Sequence, residues 1–562
     1  MNGRIVWRYL TSAIVACFFL LFYSWYSLSN VPSKKIPTGP TVVMPVKFVH
    51  WTDKTGSRNE QSFTKPPHKL QRTNLFEDGR VLARLSKYSN KSLLRSQANE
   101  EWLPGYYADN FKNDPSLSYL RERVVGYCNP PELTTTGKEG IVVPGYALQS
   151  VHVLIRHGDR TPLESNGMET ADIDCNLMMV SQTIPDQMFE LLATDLNEWK
   201  DLLKREDSLM LSDMKLKTSL RTSAFSSINL NYLSALTSDS SKCRTSQMTP
   251  NGWRQHLAIG EFLRNAYTPH NLLNPEAVNY KDVMSLHSTT YSRTMQSAIA
   301  LLYGLLPEDQ ILKTPALKTT RALNFCEGKM CDCSAVHNLL NQVSLEKSRH
   351  KIDHEYTRKI TKSIKNILYG DDQHSPKLPH FFALLDHFTS FLCHNKKLPC
   401  GPTKCLDLDQ VQEVFKYVDK LEDDLKSHDD SLSMKHARLF MYPLLKEITD
   451  AISFNSTKHR FSLYSGHDLT ITPFLAILGL PDFRWPNYAA RIIIEAWSKF
   501  NKKFIRVLYN GDDMTDKLRF CRNQLNQDGL CPLTQLVDFV NKQNFVLFNA
   551  KSYEEACLSS KL

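Results

Sequence analysis

The chain has 562 residues, of which 42% are hydrophobic and 23% are charged, and its formal net charge is +9. This composition is ordinary for a globular protein, which excludes a wholly disordered or fibrous chain, and the length suits one or two domains with appendages. The mild positive charge is compatible with an anionic substrate or with a solvated basic surface. No nucleic-acid-binding motif accompanies it, so we expect no nucleic-acid partner.

The N-terminal segment predicts a membrane anchor and a stem. Residues 9–28 are apolar and free of charges, and a run of about 20 such residues is enough to span a bilayer. A cleaved signal peptide is the alternative, but the run is long for one and no small-x-small cleavage site follows it cleanly. We therefore expect a cytoplasmic tail over 1–8, a type II signal anchor over 9–28, a lumenal stem over 29–120 and a globular domain over 121–562.

Cysteine usage indicates an oxidising compartment. Of the 13 cysteines, Cys17 lies in the predicted anchor and the other twelve follow it, an even number that suits disulfide bonds in a lumenal domain. Zinc binding is the alternative, but the clusters at 326–333 and 393–405 lack paired C-x-x-C spacing. We expect disulfide bonds, whose pairing the sequence leaves open. Asn90 and Asn455 each begin an N-glycosylation sequon, which also fits a lumenal domain.

The first chemical motif follows a predicted buried strand. Residues 151–155 are apolar and mostly β-branched apart from one histidine, and they are followed at once by Arg-His-Gly-Asp-Arg-Thr-Pro at 156–162. Gly158 and Pro162 in this sequence predict a loop. A surface loop with chance basic residues is the alternative interpretation, but five specified residues at fixed spacing behind a strand argue against chance.

This loop places two guanidinium groups on either side of an imidazole. Arg156 and Arg160 each offer a rigid fork of donors that matches phosphate oxygens and stays charged at any relevant pH. The imidazole of His157 between them would face a bound phosphate. Because a neutral histidine is a nucleophile, the motif predicts covalent phosphoryl transfer through a phosphohistidine.

The motif Arg156-His157-Gly158-Asp159-Arg160-Thr161-Pro162 resembles the signature of the histidine acid phosphatases. The resemblance implies an α/β fold of the histidine-phosphatase, phosphoglycerate-mutase-like type, with a mostly parallel sheet flanked by helices and an inserted helical cap lobe. It also implies His157 as the nucleophile, with Arg156 and Arg160 as phosphate ligands, in a reaction that needs no metal and no other cofactor. A further Arg and a distant His-Asp pair must then come from elsewhere in the chain.

Two segments after the motif are expected to support the site. Residues 188–239 are rich in Leu, Lys and Asp, and we interpret them as an insertion on its rim. A helix follows, with Thr249 as its cap and Pro250 at its first position. Gly252, Gln255 and Gly260 on this helix resemble the family pattern for the helix below the active-site loop, although a plain amphipathic helix would explain its apolar positions equally well.

The third arginine is Arg293. It follows a short predicted strand and begins a helix with small and apolar residues at helical spacing. Backbone donors and the helix dipole favour an anion at such an N-terminus, although a lone arginine there is more often a surface residue. The family pattern Ser-Arg-Thr around Arg293 implies a phosphate ligand. The following stretch, about 308–451, looks mostly helical, and by resemblance it forms the cap lobe that shapes substrate access.

A final strand, glycine turn and helix carry the His-Asp pair. The strand over 461–465 precedes Gly466, His467 and Asp468. The resemblance implies His467 as a second imidazole on the phosphate and Asp468 as the proton donor, whereas an isolated His-Asp pair would more often be structural. Three repeats of strand, polar loop and helix predict a parallel sheet whose loops converge at its carboxyl edge.

Several further segments resemble Golgi members of the same family that act on glycans. They are Ser150-Val151-His152-Val153, Phe325-Cys326 with Cys331 and Cys333, Leu463-Tyr464-Ser465, Ala489-Ala490-Arg491 and Leu508-Tyr509-Asn510-Gly511. This resemblance implies a phosphorylated proteoglycan linkage glycan, carrying xylose 2-phosphate, as the substrate. It also implies a type II Golgi membrane protein with a lumenal catalytic domain.

Two other functions stay open at this point. One is a broad-specificity, lysosomal-type acid phosphatase, although relatives of that type carry a carboxyl-terminal anchor and the end here is short and polar. The other is a non-enzymatic lumenal binding protein on the same fold, against which the presence of all the proposed catalytic residues argues. The sequence leaves the oligomeric state undetermined.

Overall fold

The computed structural model describes residues 107–558 with gaps at 165–167, 183–185, 209–241, 275–277, 312, 329–330, 354, 371–376, 427, 429, 455–459 and 481–483. The predicted tail, the anchor, nearly all of the stem and both sequons lie outside the described residues. Among the helices of the described ranges, none is both long and apolar enough to cross a membrane.

A mixed β-sheet forms the centre of the described chain. Its strands lie in the order β3-β2-β4-β1-β5-β6-β7, and β8 pairs with β6. The strands are β1 (Ala147–Arg156), β2 (Met284–Thr289), β3 (Lys318–Thr320), β4 (Phe461–Gly466), β5 (Arg491–Lys499), β6 (Lys502–Tyr509), β7 (Asp512–Asp513) and β8 (Cys531–Pro532).

The parallel half of the sheet is the half that carries the predicted motifs. Strands β3, β2, β4 and β1 are mutually parallel, whereas β5 pairs antiparallel with β1 and β6 antiparallel with β5. The predicted α/β fold is confirmed, but the sheet is mixed and not mostly parallel. Only two residues, Phe500 and Asn501, separate β5 from β6, and such a short connection can join only antiparallel strands.

Helices account for most of the remaining described residues. Before β2 they are α1 (Ala108–Asn113), α2 (Ser118–Cys128), α3 (Pro131–Thr134), α4 (Leu177–Ser181), α5 (Gln187–Ser208), α6 (Pro250–Tyr267) and α7 (Tyr280–Val283). Between β2 and β4 they are α8 (Ser292–Leu305), α9 (Glu308–Ile311), α10 (Ser334–Asp353), α11 (Glu355–Tyr369), α12 (Phe381–Cys393), α13 (Leu408–Lys426), α14 (Leu432–Phe440) and α15 (Tyr442–Ser453). After β4 they are α16 (Asp468–Ile477), α17 (Leu533–Asn541) and α18 (Tyr553–Leu558).

The central strands β4, β1 and β5 are buried on both faces along most of their length. In β1 the side chains of Val153 and Ile155 join one core and that of Leu154 joins the other, as the alternation of a strand requires. The first core packs against α5, α6 and α8, and the second against α14 to α17. Each fully buried aliphatic side chain contributes about 1.5–3 kcal/mol to the transfer free energy of folding.

A third core belongs to what we call the helical lobe, made of α1, α2, α11, α12 and α13. The lobe includes residues before 121, since Phe111 and Leu120 are buried in it, so the folded part begins earlier than the predicted boundary. Part of the stretch predicted as the cap belongs to the sheet domain. Residues 318–320 form a strand of the sheet, and α14 and α15 pack in the second core, on one face of that sheet. The lobe proper is therefore smaller than 308–451.

The segment predicted as a rim insertion is in part a core helix. Phe189, Leu192 and Leu196 of α5 are buried in the first core, where they pack with α6 and α8. Their spacing of three and four residues forms one apolar helix face, and this face explains why the segment joins the core. Residues 209–241, which include the remainder of the predicted insertion, lie outside the described part.

The expected disulfide bonds are present in the described chain. The twelve cysteines after the predicted anchor form six pairs, Cys128–Cys393, Cys175–Cys243, Cys326–Cys331, Cys333–Cys557, Cys400–Cys405 and Cys521–Cys531. The first pair joins α2 to the end of α12 and so closes the helical lobe covalently.

Candidate active site

The three predicted motifs meet at one edge of the sheet. Strands β1, β2 and β4 are adjacent and parallel, so their carboxyl ends lie side by side. The loop after β1 carries the first motif, α8 after β2 carries Arg293, and α16 after β4 begins at Asp468. All six predicted site residues therefore come together, although 312 positions separate Arg156 from Asp468 in the sequence (468 − 156).

His157 is held in one orientation within a buried pocket. Its Nδ1 lies 2.9 Å from the carbonyl oxygen of Gly158, which can only accept, so Nδ1 carries the proton and Nε2 has the free lone pair. The side chain is 1% exposed. Burial, together with the nearby charges of Arg293, Arg156 and Arg160, holds the pKa of His157 well below its usual range. The imidazole is therefore neutral, as a nucleophile must be.

Arg156 packs against the aromatic rings of two tyrosines. Its Cζ is 4.6 Å from the ring centroid of Tyr488 and 5.2 Å from that of Tyr127. Its Nη1 donates to the carbonyl of Pro486, and its Nη2 is 3.2 Å from the Tyr127 hydroxyl. Cation–π contacts between desolvated groups contribute about 2 kcal/mol, so these rings support the charge of a fully buried guanidinium.

Arg160 is paired with a carboxylate of the helical lobe. Its Nη1 and Nη2 lie 3.0 Å and 2.9 Å from the two carboxylate oxygens of Asp386 in α12. Burial lowers the pKa of Arg160, but the carboxylate of Asp386 acts with Tyr488 and Tyr127 in the opposite direction, and together they raise the pKa above its ordinary value. This bidentate pair fixes the plane of the guanidinium.

Arg293 and His467 face each other across the pocket. Arg293 Nη2 lies 3.4 Å from His467 Nδ1, and His467 Nε2 lies 2.8 Å from the Thr289 hydroxyl. Tyr291 contacts both, with its ring centroid 4.7 Å from Arg293 Cζ and 4.9 Å from the His467 ring. Burial and Arg160 lower the pKa of Arg293 to about 10, and burial with Arg293 holds the pKa of His467 well below its usual range.

Asp468 is the most accessible group of the six. Its side chain is 13% exposed, and its Oδ2 lies 3.5 Å from Nη2 of Arg156. Its Oδ1 accepts from the backbone N–H of Leu469 at 2.7 Å, because Asp468 is the first residue of α16 and the N–H groups of a first turn have no partners within the helix. A carboxyl at the mouth of the pocket can reach both a bound ester and water.

Asp159 supports the loop and does not enter the pocket. It is fully buried, and its Oδ2 accepts from the Thr249 hydroxyl at 2.5 Å. Its backbone N–H donates to Oε1 of Gln255 in α6 at 2.8 Å. Beside it, a Cβ added to Gly158 would lie 2.5 Å from the carbonyl oxygen of Gly252, so α6 packs directly against the loop through glycine. Two of the three predicted family positions on α6, Gly252 and Gln255, therefore contact the loop, whereas Gly260 packs closely against α8.

The pocket contains unpaired donors. The Nε atoms of Arg156, Arg160 and Arg293 are buried and have no hydrogen-bond partner within the described ranges. A buried donor without a partner costs about 1–3 kcal/mol, more when it is charged. A bound anion would remove this cost, because phosphate oxygens accept several such bonds at once.

Several residues of the site have no counterpart among the sequence predictions. They are Tyr127, Ser246, Thr289, Tyr291, Asp386 and Tyr488. For Asp386 a signal did exist, because it is a charged residue within the otherwise apolar first half of α12 and buried carboxylates are rare unless paired. The two tyrosines under Arg156 carried no such signal, because aromatic residues are ordinary core residues.

A comparison with known proteins identifies the family of this chain. A model of the histidine phosphatase superfamily (branch 2) matches residues 147–510, which is more than half of the chain. The chain belongs to the histidine phosphatase superfamily, branch 2. This membership makes it a phosphatase and not a binding protein on the same fold.

Several proteins of known name are similar to this chain. The branch-2 histidine phosphatase described here is 32% identical to 2-phosphoxylose phosphatase 1 of Mus musculus, over 80% of this chain and 89% of the relative. It is 30% identical to the protein of the same name from Xenopus tropicalis, over 79% of this chain and 83% of the relative. A solved structure of multiple inositol polyphosphate phosphatase from Bifidobacterium longum with inositol hexasulfate has a TM-score of 0.44 at 13% identity, covering 75% of this chain and 98% of that one.

Proposed function

We propose that this branch-2 histidine phosphatase hydrolyses phosphate monoesters through a covalent phosphohistidine on His157. The observation that carries the proposal is the hydrogen bond from His157 Nδ1 to the Gly158 carbonyl at 2.9 Å. It leaves Nε2 as a neutral nucleophile among three guanidinium groups. The phosphate is held by Arg156, Arg160, Arg293 and His467, which stabilise the charge on its three non-bridging oxygens as the transition state forms.

In the first step, Nε2 of His157 forms a bond to phosphorus while the ester oxygen leaves in line. Asp468 gives its proton to that oxygen, so that the product departs as an alcohol and not as an alkoxide. In the second step, the carboxylate of Asp468 takes a proton from water, which attacks phosphorus and breaks the phosphorus–nitrogen bond. Inorganic phosphate leaves, and His157 and Asp468 return to their starting protonation states.

The substrate that we propose is xylose 2-phosphate within the glycosaminoglycan–protein linkage region, as part of proteoglycan biosynthesis. The support is the 29–32% identity to relatives named 2-phosphoxylose phosphatase 1 in five vertebrates. The net charge of +9 is compatible with a glycan that becomes polyanionic as its chains grow.

The location that we propose for the catalytic domain is the Golgi lumen, with the chain anchored as a type II membrane protein through residues 9–28. The six disulfide bonds support an oxidising compartment. Glycosidase treatment of protein made in cells should increase its mobility, through glycans on Asn90 or Asn455. Unglycosylated protein whose cysteines all react as free thiols would contradict this topology.

Substrate identity is tested by comparing kcat/KM for three compounds. They are a phosphorylated linkage oligosaccharide, free xylose 2-phosphate and an inositol polyphosphate. Because remote contacts with neighbouring sugars lower the barrier as well as improving binding, the oligosaccharide should react with the highest kcat/KM. If it has no advantage over the other two, a broad-specificity acid phosphatase becomes the better description.

A further inference from the structure

The helical lobe contacts the active-site arginines through two helices. Tyr127 of α2 lies under Arg156, and the second contact comes from α12 (Phe381–Cys393). The carboxylate of its residue Asp386 accepts from Arg160 Nη1 at 3.0 Å, lies 2.9 Å from Arg160 Nη2, and accepts from the backbone N–H of Leu163 at 2.9 Å. One side chain of the lobe thus binds both a predicted phosphate ligand and the loop that carries it.

The fold by itself gives little reason for this carboxylate. Asp386 is 9% exposed, and its neighbours in the helix, Leu385 and His387, are buried as well. Removing a carboxylate from water costs several kcal/mol, and a buried ion pair is often no more stabilising than well-packed apolar side chains of similar volume. A role in the site explains its presence better than a role in stability.

The pair restrains Arg160 in a way that suits phosphate binding. Both terminal nitrogens of the guanidinium are bound to Asp386, and Nη1 also donates to the carbonyl of Thr161 at 2.9 Å. The Nε of Arg160 is left buried without a partner among the described residues. A guanidinium held at both terminal nitrogens is restrained in its orientation, so its Nε–H can bind an anion at little further cost in side-chain entropy.

The end of α12 contacts the same loop a second time. His394, directly after the helix, has its Nε2 2.5 Å from Oδ2 of Asp159. The preceding residue, Cys393, is bonded to Cys128, whose neighbour Tyr127 lies under Arg156. The position of α12 is thereby connected to both arginines of the first motif.

From these contacts we infer that Asp386 is a positioning residue, which holds Arg160 in its phosphate-binding orientation and makes the helical lobe part of the catalytic scaffold. It touches neither the reacting atoms nor the leaving group. The inference rests on the proposed role of Arg160 as a phosphate ligand. It changes the role expected for the lobe, which the family resemblance limits to shaping substrate access.

Electrostatics alone would give the opposite effect to positioning. A negative charge next to an anion site repels the anion, so removal of Asp386 as a charge would strengthen phosphate binding. If Asp386 acts by orienting Arg160, its removal weakens phosphate binding instead. The sign of the change therefore separates the two roles.

The test measures inhibition of the full-length enzyme by inorganic phosphate, together with kcat/KM for an aryl phosphate. The Asp386→Asn variant has the same shape, but its amide NH₂ meets the N–H groups of Arg160. We expect the inhibition constant for phosphate to rise about 10- to 100-fold and kcat/KM to fall by a similar factor, as for the loss of one hydrogen bond between Arg160 and phosphate. An unchanged or lower inhibition constant would overturn the inference.

A matched control removes a comparable ion pair of the same lobe that involves none of the site residues. Asp419 of α13 accepts from Arg123 Nε at 2.7 Å and Nη2 at 2.8 Å, and this pair joins α2 to α13 within the lobe. Asp419→Asn should lower thermal stability as Asp386→Asn does, yet leave the inhibition constant for phosphate unchanged. An equal rise in both variants would show that Asp386 acts only through the stability of the lobe.

The same substitution made in an Arg160→Ala enzyme distinguishes failure of this inference from failure of the proposed function. In an Arg160→Ala enzyme, Asp386→Asn should no longer weaken phosphate binding, because the group that it positions is gone. If Arg160→Ala itself leaves phosphate binding unchanged, the proposed role of Arg160 fails and the inference fails with it. If Arg160→Ala weakens binding but Asp386→Asn does not, only the inference about Asp386 fails.

Discussion

The Nδ1 atom of His157 lies 2.9 Å from the carbonyl oxygen of Gly158, the next residue in the chain. Because a carbonyl cannot donate, this contact fixes the tautomer and leaves Nε2 with its lone pair toward the pocket. The same arrangement requires a loop that turns sharply after β1. One backbone contact therefore decides which atom of the imidazole can attack.

The first prediction concerns the nucleophile. His157→Ala should abolish turnover and the trapping of labelled phosphate on acid-quenched enzyme, because the imidazole between Arg156 and Arg160 is then gone. His287→Ala is the control, since His287 is on β2 and stacks on Tyr464, outside the pocket. Labelled phosphate that is still trapped on the His157 variant would contradict the assignment.

The second prediction concerns pH. Burial and neighbouring arginines hold the pKa of His157 well below 6.5, so the folded enzyme keeps a neutral nucleophile at mildly acidic pH. After correction for the substrate phosphate, whose second pKa is about 6, kcat/KM should show no acid limb near 6.5. An enzyme-derived limb near 6.5 in the corrected profile would mean that His157 titrates normally.

The lowered histidine pKa values should also make the free energy of unfolding depend on pH. In the unfolded chain His157 and His467 gain protons as the pH falls through about 6.5, whereas in the folded protein their lowered pKa values keep them neutral. The unfolded state then binds more protons, so the free energy of unfolding should decrease as the pH falls below about 6.5. Denaturant titrations at several pH values should show a smaller decrease for a His467→Gln variant than for the native protein.

The third prediction concerns the proton donor. Asp468→Asn should slow hydrolysis of sugar phosphates by a factor of about 100 to 10,000, the usual contribution of a general acid, because a sugar alkoxide is a poor leaving group. Aryl phosphates, whose leaving groups need little protonation, should lose far less in the phosphorylation step measured by rapid quench. Equal losses of phosphorylation rate on both substrate types would remove Asp468 from this role.

The fourth prediction concerns the contact between the loop and α6. A Cβ on Gly158 would lie 2.6 Å from Cα of Gly252, so Gly158→Ala must displace either the loop or the helix. We expect a loss of about 1–3 kcal/mol in the free energy of unfolding from overpacking, together with a fall in kcat. Gly126→Ala in α2, where a Cβ would meet nothing within 4 Å, is the matched control and should keep full activity. Normal kcat in Gly158→Ala would show that the close approach is not required.

The sequence by itself determined which residues are candidates for the chemistry of the site. Arg156, His157 and Arg160 are neighbours in one loop, and the strand, loop and helix around Arg293 and around Asp468 follow from local patterns of apolar, glycine and polar residues. Because parallel strands place the loops that follow them at one edge of the sheet, these local patterns also predict that the six residues come together. The even number of cysteines beyond residue 17 likewise predicted disulfide bonds.

Only the tertiary structure decided what surrounds and orients these groups. Asp386 meets Arg160 across 226 residues of sequence, and Pro486 meets Arg156 across 330. The pairing of Cys128 with Cys393 spans 265. Contacts at such separations depend on how whole helices and sheets pack. No local periodicity encodes that packing, because burial is favourable against any apolar partner of suitable shape. The identities of the reacting groups are therefore local information, whereas their orientation is a property of the folded chain.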